Sequence, residues 1–257
     1  MDNINNVLHI PKYRESANAE TLIIFIHGFM GSPNQFDDLA EAALDKGYST
    51  LSVLLPGHGG SCRDFTINGL TEWESYLHSE IDRYKDKHSN IYLFGHSMGG
   101  LLALNASVIN VDKICGIVLL SSPMKINITP KSIFYRVKLL LYPNNHEVKR
   151  SYRLSNSIEM RFSFYCLLWF RTYLQLRKLI SKTKANLAAV SVPIIMVHSS
   201  HDETVSIKSA KILYEGLSNT VKQKITLNQS WHMYYTNEER KMICDEMLLF
   251  IETNSPN

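Results

Sequence analysis

The sequence predicts an α/β protein with a mostly parallel central sheet flanked by helices. Short apolar or β-branched runs alternate with stretches of helical spacing along the 257 residues. The residues around Ser97 have the pattern of a strand, a tight turn and a helix, and one long segment interrupts the alternation. Alternating strands and helices are typical of a parallel sheet that is buried on both faces.

Six runs are predicted as strands because they are short and rich in β-branched and other apolar residues. They span 21–27, 49–55, 90–94, 116–121, 193–198 and 222–227. Five stretches between or after them have helical spacing, at 33–46, 70–87, 100–109, 206–217 and 237–253. Functional sites of such sheets form in the loops beyond the carboxyl ends of the strands.

Composition limits the classes of function. A hydrophobic fraction of 45%, a charged fraction of 20% and a net charge of +3 are those of a soluble globular protein and give no reason to expect a nucleic-acid partner. The first residues lack a basic region followed by an apolar one, and no apolar run is long enough for a bilayer, so we expect a cytoplasmic location. The four scattered cysteines form no C-x-x-C pair, which predicts reduced thiols and no metal site.

The segment 125–190 is predicted to be an inserted helical cap, because it lacks a good strand and its composition changes. It contains 13 Lys or Arg and two acids, hence a charge of +11, while the rest of the chain carries −8. It also holds 10 of the 26 aromatic residues. We expect helices near 131–142 and 159–180, and an α/β core divided into 1–124 and 191–257. Caps of this type cover a pocket.

Gly95-His96-Ser97-Met98-Gly99 has the pattern of a nucleophile elbow, a sharp turn that presents a serine at the end of a strand. Glycine is needed on both sides because the two backbones approach closely there. The same pentapeptide also occurs in ordinary glycine-rich turns, so its context decides between the two interpretations. The strand before it and the helix after it favour the elbow, with Ser97 as nucleophile.

A serine hydroxyl is a weak nucleophile at neutral pH and needs a histidine base that an acid orients. Asp202 follows the strand predicted at 193–198, and His232 follows the strand predicted at 222–227. Taken alone, such an aspartate is more often a helix cap or turn former. The order Ser, Asp, His in loops at strand ends instead favours a catalytic triad of Ser97, Asp202 and His232.

Attack of Ser97 on an acyl carbonyl creates an oxyanion that two backbone N–H groups must stabilise. One is predicted to be that of Met98, which follows the nucleophile. The other is predicted to be that of Phe29, in the glycine-containing loop His27-Gly28-Phe29-Met30-Gly31. A plain glycine turn is the alternative interpretation of this loop.

With these residues the chain resembles the α/β-hydrolase family, and within it the bacterial carboxylesterases and monoacylglycerol lipases. The motifs that carry the resemblance are His27-Gly28-Phe29-Met30-Gly31, Leu55-Pro56-Gly57-His58-Gly59, Gly95-His96-Ser97-Met98-Gly99-Gly100, Ser122-Pro123-Met124, His201-Asp202 and Trp231-His232. The resemblance implies an α/β-hydrolase fold and a cofactor-free serine hydrolase that acts through an acyl-enzyme on short- or medium-chain acyl esters or monoacylglycerols.

The resemblance also implies that Met124 lines the acyl pocket and that the loop 56–59 borders the active site. The residues predicted to contact substrate are Gly28, Phe29, His96, Met124, Trp169 and Trp231. Trp231 stands where the family commonly has glycine before its histidine, a difference that concerns the leaving-group side of the pocket.

Two questions remain open at this point, the reaction that the site performs and the role of the cap's charge. Thioester hydrolysis, amide hydrolysis and acyl transfer would use the same three residues, and a non-catalytic ligand receptor on the same scaffold is a further possibility. The charge of the cap could complement that of the core, or a basic and aromatic face could rest on anionic lipid headgroups. The residues of that face are Lys131, Tyr135, Arg136, Lys138, Tyr142, Lys149, Arg150, Arg153, Trp169, Arg171, Tyr173, Arg177 and Lys178.

Overall fold

A seven-stranded sheet lies at the centre of the structure, a computed structural model that describes residues 8–110, 112–126, 151, 154–158 and 169–255. Its strands are β1 (Lys12–Arg14), β2 (Thr21–Ile26), β3 (Ser49–Ser52), β4 (Asn90–His96), β5 (Ile114–Leu120), β6 (Ile194–Ser199) and β7 (Lys222–Leu227). Their order across the sheet is β1-β3-β2-β4-β5-β6-β7. Every neighbouring pair is parallel except β1 and β3. The prediction of a mostly parallel sheet is confirmed.

The described residues form seven α-helices, numbered here in chain order. They are α1 (Asp37–Asp45), α2 (Cys62–Ile67), α3 (Leu70–Tyr84), α4 (Met98–Ile109), α5 (Trp169–Asn186), α6 (Lys208–Gly216) and α7 (Asn237–Asn254). Two short 3₁₀ turns, Pro33–Phe36 and Leu187–Ala189, precede α1 and follow α5.

Alternate side chains of each central strand enter two hydrophobic cores, because successive residues of a strand point to opposite faces of the sheet. Leu22 and Ile24 pack with residues of α3, α4, α5 and α6 on one face. Ile23 and Phe25 pack with residues of α1 and α7 on the other. Helices therefore cover both faces, as the near-continuous apolar strands predict.

The structure corrects several element boundaries. The strand predicted at 49–55 ends at Ser52. The Val53 N–H still donates to the carbonyl oxygen of Phe25 (3.0 Å), and the following residues form a loop in which the Leu55 N–H donates to Nε2 of His27 (3.0 Å). The helix predicted at 33–46 begins as a 3₁₀ turn. The strand β1 was not predicted, because it has three half-buried residues and pairs only with β3.

The proposed cap is described only in part. The helix predicted at 131–142 lies outside the described residues, and the one predicted at 159–180 is described from Trp169 onward, as α5. This helix contacts α2, α3 and α4, and its buried residues Leu176 and Leu179 belong to the same core as the sheet. The division of the chain at 125 and 190 stays a prediction.

Two buried histidines join the loops that follow β2 and β3. Nδ1 of His27 donates to the carbonyl oxygen of Gly28 (2.9 Å), and its ring centroid lies 4.6 Å from that of His58. The His58 ring also packs against Phe65. Burial lowers the pKa of His58 from its ordinary value of 6.5 to about 4. His58 is therefore neutral at pH 7.

Acidification is expected to destabilise the protein through His58. A folded-state pKa below the unfolded value gives a contribution that is complete above pH 6.5 and is lost as the pH falls toward 4. At pH 5, protonation of the His58 imidazole in the unfolded chain lowers the free energy of that state by about 2 kcal/mol, which destabilises the folded protein by that amount. Urea unfolding at pH 7.5 and pH 5 should show a smaller acid-induced loss in His58→Gln than in the wild type.

The less buried His78 on α3 provides the matched control. The variant His78→Gln measures the effect of the same substitution at a half-buried position. Equal losses for His58→Gln and the wild type would contradict the assignment of a neutral, buried His58.

Candidate active site

Ser97 lies in the turn between β4 and α4, at the carboxyl end of the central strand. Its backbone has φ 53° and ψ −120°, a conformation that residues with a side chain rarely adopt. Its N–H donates to the carbonyl oxygen of Leu120 (2.8 Å), and its own carbonyl accepts from the N–H of Gly100 (3.0 Å). These bonds hold the strained residue in place.

The flanking glycines leave no space for side chains. A Cβ atom on Gly95 would lie 2.4 Å from Cα of Gly100, and one on Gly99 would lie 2.0 Å from the carbonyl oxygen of Ile26. Both contacts are with backbone, which cannot move aside as a flexible side chain could. The turn therefore requires glycine on each side of Ser97, as an elbow does.

His232 lies between Ser97 and Asp202. Its Nε2 is 3.1 Å from Oγ of Ser97, and its Nδ1 is 2.8 Å from Oδ2 of Asp202. All three side chains are buried or nearly so. In the neutral imidazole, Nδ1–H donates to the carboxylate while Nε2 accepts from the serine hydroxyl, which is the tautomer that a general base needs.

Asp202 is held in its loop by backbone groups as well. Its Oδ1 accepts from the N–H groups of Thr204 (2.9 Å) and Val205 (2.7 Å), which leaves Oδ2 for His232. Burial raises the pKa of Asp202, but the charge and hydrogen bond of His232 and the bond from Val205 outweigh it, and the pKa lies below its ordinary value. The side chain is therefore a carboxylate at neutral pH.

The backbone of His232 is fixed by three side chains. Its N–H donates to Oε2 of Glu203 (3.0 Å), and its carbonyl oxygen accepts from both Nε2 of His96 (3.0 Å) and the hydroxyl of Tyr235 (3.0 Å). Burial, together with the nearby His232, lowers the pKa of His96 to about 3. A neutral His96 with a proton on Nε2 leaves its Nδ1 without a partner among the described residues.

Glu239, in the first turn of α7, anchors the loop before His232. Its carboxylate accepts from the N–H groups of Asn228 (2.6 Å), Gln229 (3.1 Å) and Ser230 (2.8 Å), and also from the Ser230 hydroxyl. Burial raises the pKa of Glu239, but these hydrogen bonds outweigh it and lower the pKa overall. One carboxylate thus orders three consecutive amides of the histidine loop.

The loop after β2 lies directly against Ser97. A Cβ atom on Gly28 would lie 2.9 Å from Cβ of Ser97 and 3.3 Å from the carbonyl oxygen of His96. The N–H groups of Phe29 and Met98 donate to no acceptor in the part of the chain that the structure describes. Two free backbone donors beside a serine hydroxyl are the arrangement that an oxyanion requires.

The other residues predicted to contact substrate have different surroundings. Met124 is almost buried in the hydrophobic core, and His96 is buried against the backbone of His232. Trp169, at the start of α5, is 49% exposed. Trp231 is 36% exposed, and its ring centroid lies 5.8 Å from that of Tyr234. Their contacts with substrate stay predictions.

Sequence reasoning missed Glu203, Tyr235 and Glu239 as partners of the histidine loop. Each lies within eight residues of Asp202 or His232, but polar residues near a strand end are too common for this proximity to identify them. Glu239 had one usable signal, since an acidic residue in the first turn of a helix can accept from nearby amides.

The described residues contain no group of three or more His, Cys, Asp or Glu side chains that could hold a metal ion. None of the helices in the described ranges combines the length and the apolar character needed to cross a bilayer. Cys115 and Cys244 are free thiols, and Cys166 lies outside the described residues.

Known proteins are similar to this chain over most of its length. The thermostable monoacylglycerol lipase of Bacillus sp. (strain H-257) is 27% identical over 248 residues, which cover 93% of each chain. The carboxylesterase of Bacillus subtilis (strain 168) is 23% identical over 243 residues, covering 94% of this chain and 96% of the relative. The monoacylglycerol lipase of Paleococcus ferrophilus has the same fold, with a TM-score of 0.73 at 18% identity, covering 95% of this chain and 98% of its own.

The family comparison covers the elements that build the site. The model of the alpha/beta hydrolase family matches residues 23–240, a range that includes Ser97, Asp202 and His232. The match spans well over half of the chain and agrees with the parallel sheet and the strand order. This chain belongs to the alpha/beta hydrolase family.

Proposed function

We propose that the protein is a serine hydrolase that cleaves carboxylic esters through an acyl-enzyme on Ser97. The observation that carries this proposal is the continuous hydrogen-bonded series from Ser97 through His232 to Asp202. Named relatives that include a monoacylglycerol lipase and a carboxylesterase support the same class of substrate. Short- and medium-chain acyl esters and monoacylglycerols are the proposed substrates.

The first half-reaction forms the acyl-enzyme. Oγ of Ser97 attacks the ester carbonyl carbon while Nε2 of His232 takes the hydroxyl proton. The carbonyl oxygen becomes an oxyanion, which the N–H groups of Phe29 and Met98 stabilise. Collapse of the tetrahedral intermediate breaks the bond to the alkoxy oxygen, and His232 returns its proton to the departing alcohol.

The second half-reaction releases the acid. His232 takes a proton from a water molecule, whose oxygen attacks the acyl carbon, and the same two N–H groups stabilise the second oxyanion. The bond to Oγ then breaks, and the proton on His232 returns to Ser97. Asp202 stays ionised throughout and stabilises the imidazolium that forms in each step.

Thioesters, amides and acyl transfer to an acceptor alcohol would use the same groups, so the triad alone does not choose among them. The choice of esters depends on the named relatives, and a comparison of activity on different classes of substrate tests it. p-Nitrophenyl esters of increasing chain length, monoacylglycerols, an acyl thioester and an anilide should be compared by kcat/KM. A thioester or anilide preferred over every ester would replace the ester assignment.

A fluorophosphonate probe should label the wild type at Ser97, because its phosphorus atom reacts with an activated serine hydroxyl. Mass spectrometry of the labelled protein would locate the modified residue. The variant Ser97→Ala should show no labelling and no esterase activity, whereas Ser107→Ala, which changes a buried serine on the same helix α4, should retain both. Unlabelled wild-type protein would support the alternative of a non-catalytic receptor.

Asp202→Asn is expected to lower kcat by up to about 10⁴-fold, by analogy with other triads. Oδ1 of the asparagine can still accept from Thr204 and Val205, so its amide nitrogen would face Nδ1 of His232. An amide donor there favours the wrong imidazole tautomer. Steady-state kinetics on p-nitrophenyl butyrate measure the effect.

Glu203→Gln is the matched control, because a glutamine oxygen can still accept the His232 N–H. Its kcat should fall by no more than about tenfold, since the hydrogen bonds that the carboxylate accepts, among them those from the His232 N–H and the Thr204 hydroxyl, become neutral ones. A near-wild-type rate for Asp202→Asn would mean that another group orients His232.

We also propose that the exposed face of α5 contacts anionic lipid. Three apolar side chains on this helix are exposed: Trp169 (49%), Phe170 (56%) and Leu174 (40%). The exposed cations Arg171, Arg177 and Lys178 lie on the same helix. Aromatic and apolar side chains beside cations are typical of surfaces that bind at the interface of an anionic membrane. We further propose that the protein is cytoplasmic, as predicted from the sequence, and meets the membrane from that side.

Cosedimentation with liposomes tests the contact. The wild type should bind vesicles of phosphatidylcholine and phosphatidylglycerol several-fold better than vesicles of phosphatidylcholine alone, because the cations add electrostatic attraction. Phe170→Ser should weaken this binding, while Ile109→Ser, which changes an exposed apolar residue on α4, should not. Equal binding to both vesicles, or none, would contradict the proposal.

A further inference from the structure

Ser157 joins the segment 154–158, which lies between β5 and α5 in the chain, to the loop that faces Ser97. The side chain is buried, with 3% of the residue exposed. Its backbone N–H donates to the carbonyl oxygen of Met30 (3.0 Å), and its hydroxyl donates to the carbonyl oxygen of Gly31 (2.5 Å). Two consecutive carbonyl groups of the loop are thus held by one residue from a distant part of the chain.

The hydroxyl of Ser157 also accepts a hydrogen bond. The N–H of Gly59 donates to its Oγ (3.2 Å), so that Ser157 joins the loop after β2 to the loop after β3. Ile158, the next residue, is buried in a cluster that includes Phe65 and contacts Phe29 and Met30. Polar and apolar contacts therefore hold the segment against the same loop.

The bonds within the loop connect this contact to the proposed oxyanion site. The N–H of Gly31 donates to the carbonyl oxygen of Gly28 (2.9 Å), which also accepts from Nδ1 of His27 (2.9 Å). That carbonyl and the N–H of Phe29 belong to one planar peptide group, so fixing the oxygen fixes the direction of the N–H. Met30 has a φ of 59°, so the loop needs such external bonds to hold this conformation.

We propose that Ser157 is a positioning residue for the oxyanion site, holding Gly31 and Met30 so that the N–H of Phe29 points at the carbonyl oxygen of the substrate. The proposal rests on the proposed function, because an oxyanion forms only if Ser97 attacks an acyl group. It adds that the position of the segment 154–158 affects the rate of turnover, because hydrogen bonds of Ser157 join this segment to Met30 and Gly31.

A positioning role differs from a structural one in what it changes. A misdirected N–H weakens stabilisation of the transition state and leaves binding of the ground-state ester nearly unchanged. The loss therefore falls on kcat, and it falls equally on the affinity for an inhibitor that forms a tetrahedral adduct with Ser97. General loosening of the fold would instead change thermal stability and KM together.

The test compares Ser157→Ala with Ser155→Ala in the full chain. Ser155 is a buried serine of the same segment whose side chain donates no hydrogen bond to residues 28–31 in the part of the chain that the structure describes. With p-nitrophenyl butyrate, Ser157→Ala should lower kcat about tenfold, with KM within about twofold of the wild type, because the donor is displaced and not removed. The affinity for an alkyl trifluoromethyl ketone should fall by the same factor as kcat/KM.

Ser157→Cys provides a second variant of similar volume, in which a weaker donor replaces the hydroxyl. Its kcat should lie between those of the wild type and Ser157→Ala, and this variant decides the matter if the alanine variant does not fold. The proposal would be overturned if kcat stayed within twofold of the wild type, if Ser155→Ala lost as much, or if the ketone affinity did not change. Wild-type protein without esterase activity would instead overturn the proposed function.

Discussion

The hydrogen bond between Nε2 of His232 and Oγ of Ser97 is the contact on which the proposed chemistry depends. It joins residues that are 135 positions apart in the sequence, and it forms only if two loops from different strands meet at 3.1 Å. Neither loop could hold such a distance alone, because a flexible loop samples many backbone conformations. The surrounding structure can be understood as a set of restraints on these two loops.

The restraints on the two sides of this bond differ in kind. Ser97 is held by two backbone hydrogen bonds and mainly by steric exclusion, since backbone atoms lie within 2.4 Å of the Cβ positions that the flanking glycines leave empty. His232 is held by hydrogen bonds with polar side chains: Glu203 accepts from its N–H, and His96 and Tyr235 donate to its carbonyl oxygen. Rigid elements that carry loops of this kind can position a base within the few tenths of an ångström that proton transfer requires.

Much of the fold could be predicted because its central strands are buried on both faces and therefore appear as apolar runs. The positions of Ser97, Asp202 and His232 at strand ends followed from the same runs. The edge strand β1 could not be predicted, since half-buried residues at an edge have no apolar pattern. The proposed role of Ser157 could not be predicted either, because it arises from contacts with Met30, Gly31 and Gly59, which are distant in the sequence. No sequence pattern around a buried serine indicates such contacts.

The position of the strands within the sheet has a consequence for partial unfolding. β4, which leads to Ser97, has a parallel neighbour on each side, whereas β7, which leads to the His232 loop, lies at the edge and has several exposed side chains. Edge elements with few buried contacts open at lower free energy than central ones. Fraying that starts at β7 would separate the imidazole from an elbow that is still folded. The protein would then lose its hydrolytic activity while the turn at Ser97 kept its native conformation. Recovery would need only β7 to pair with β6 again.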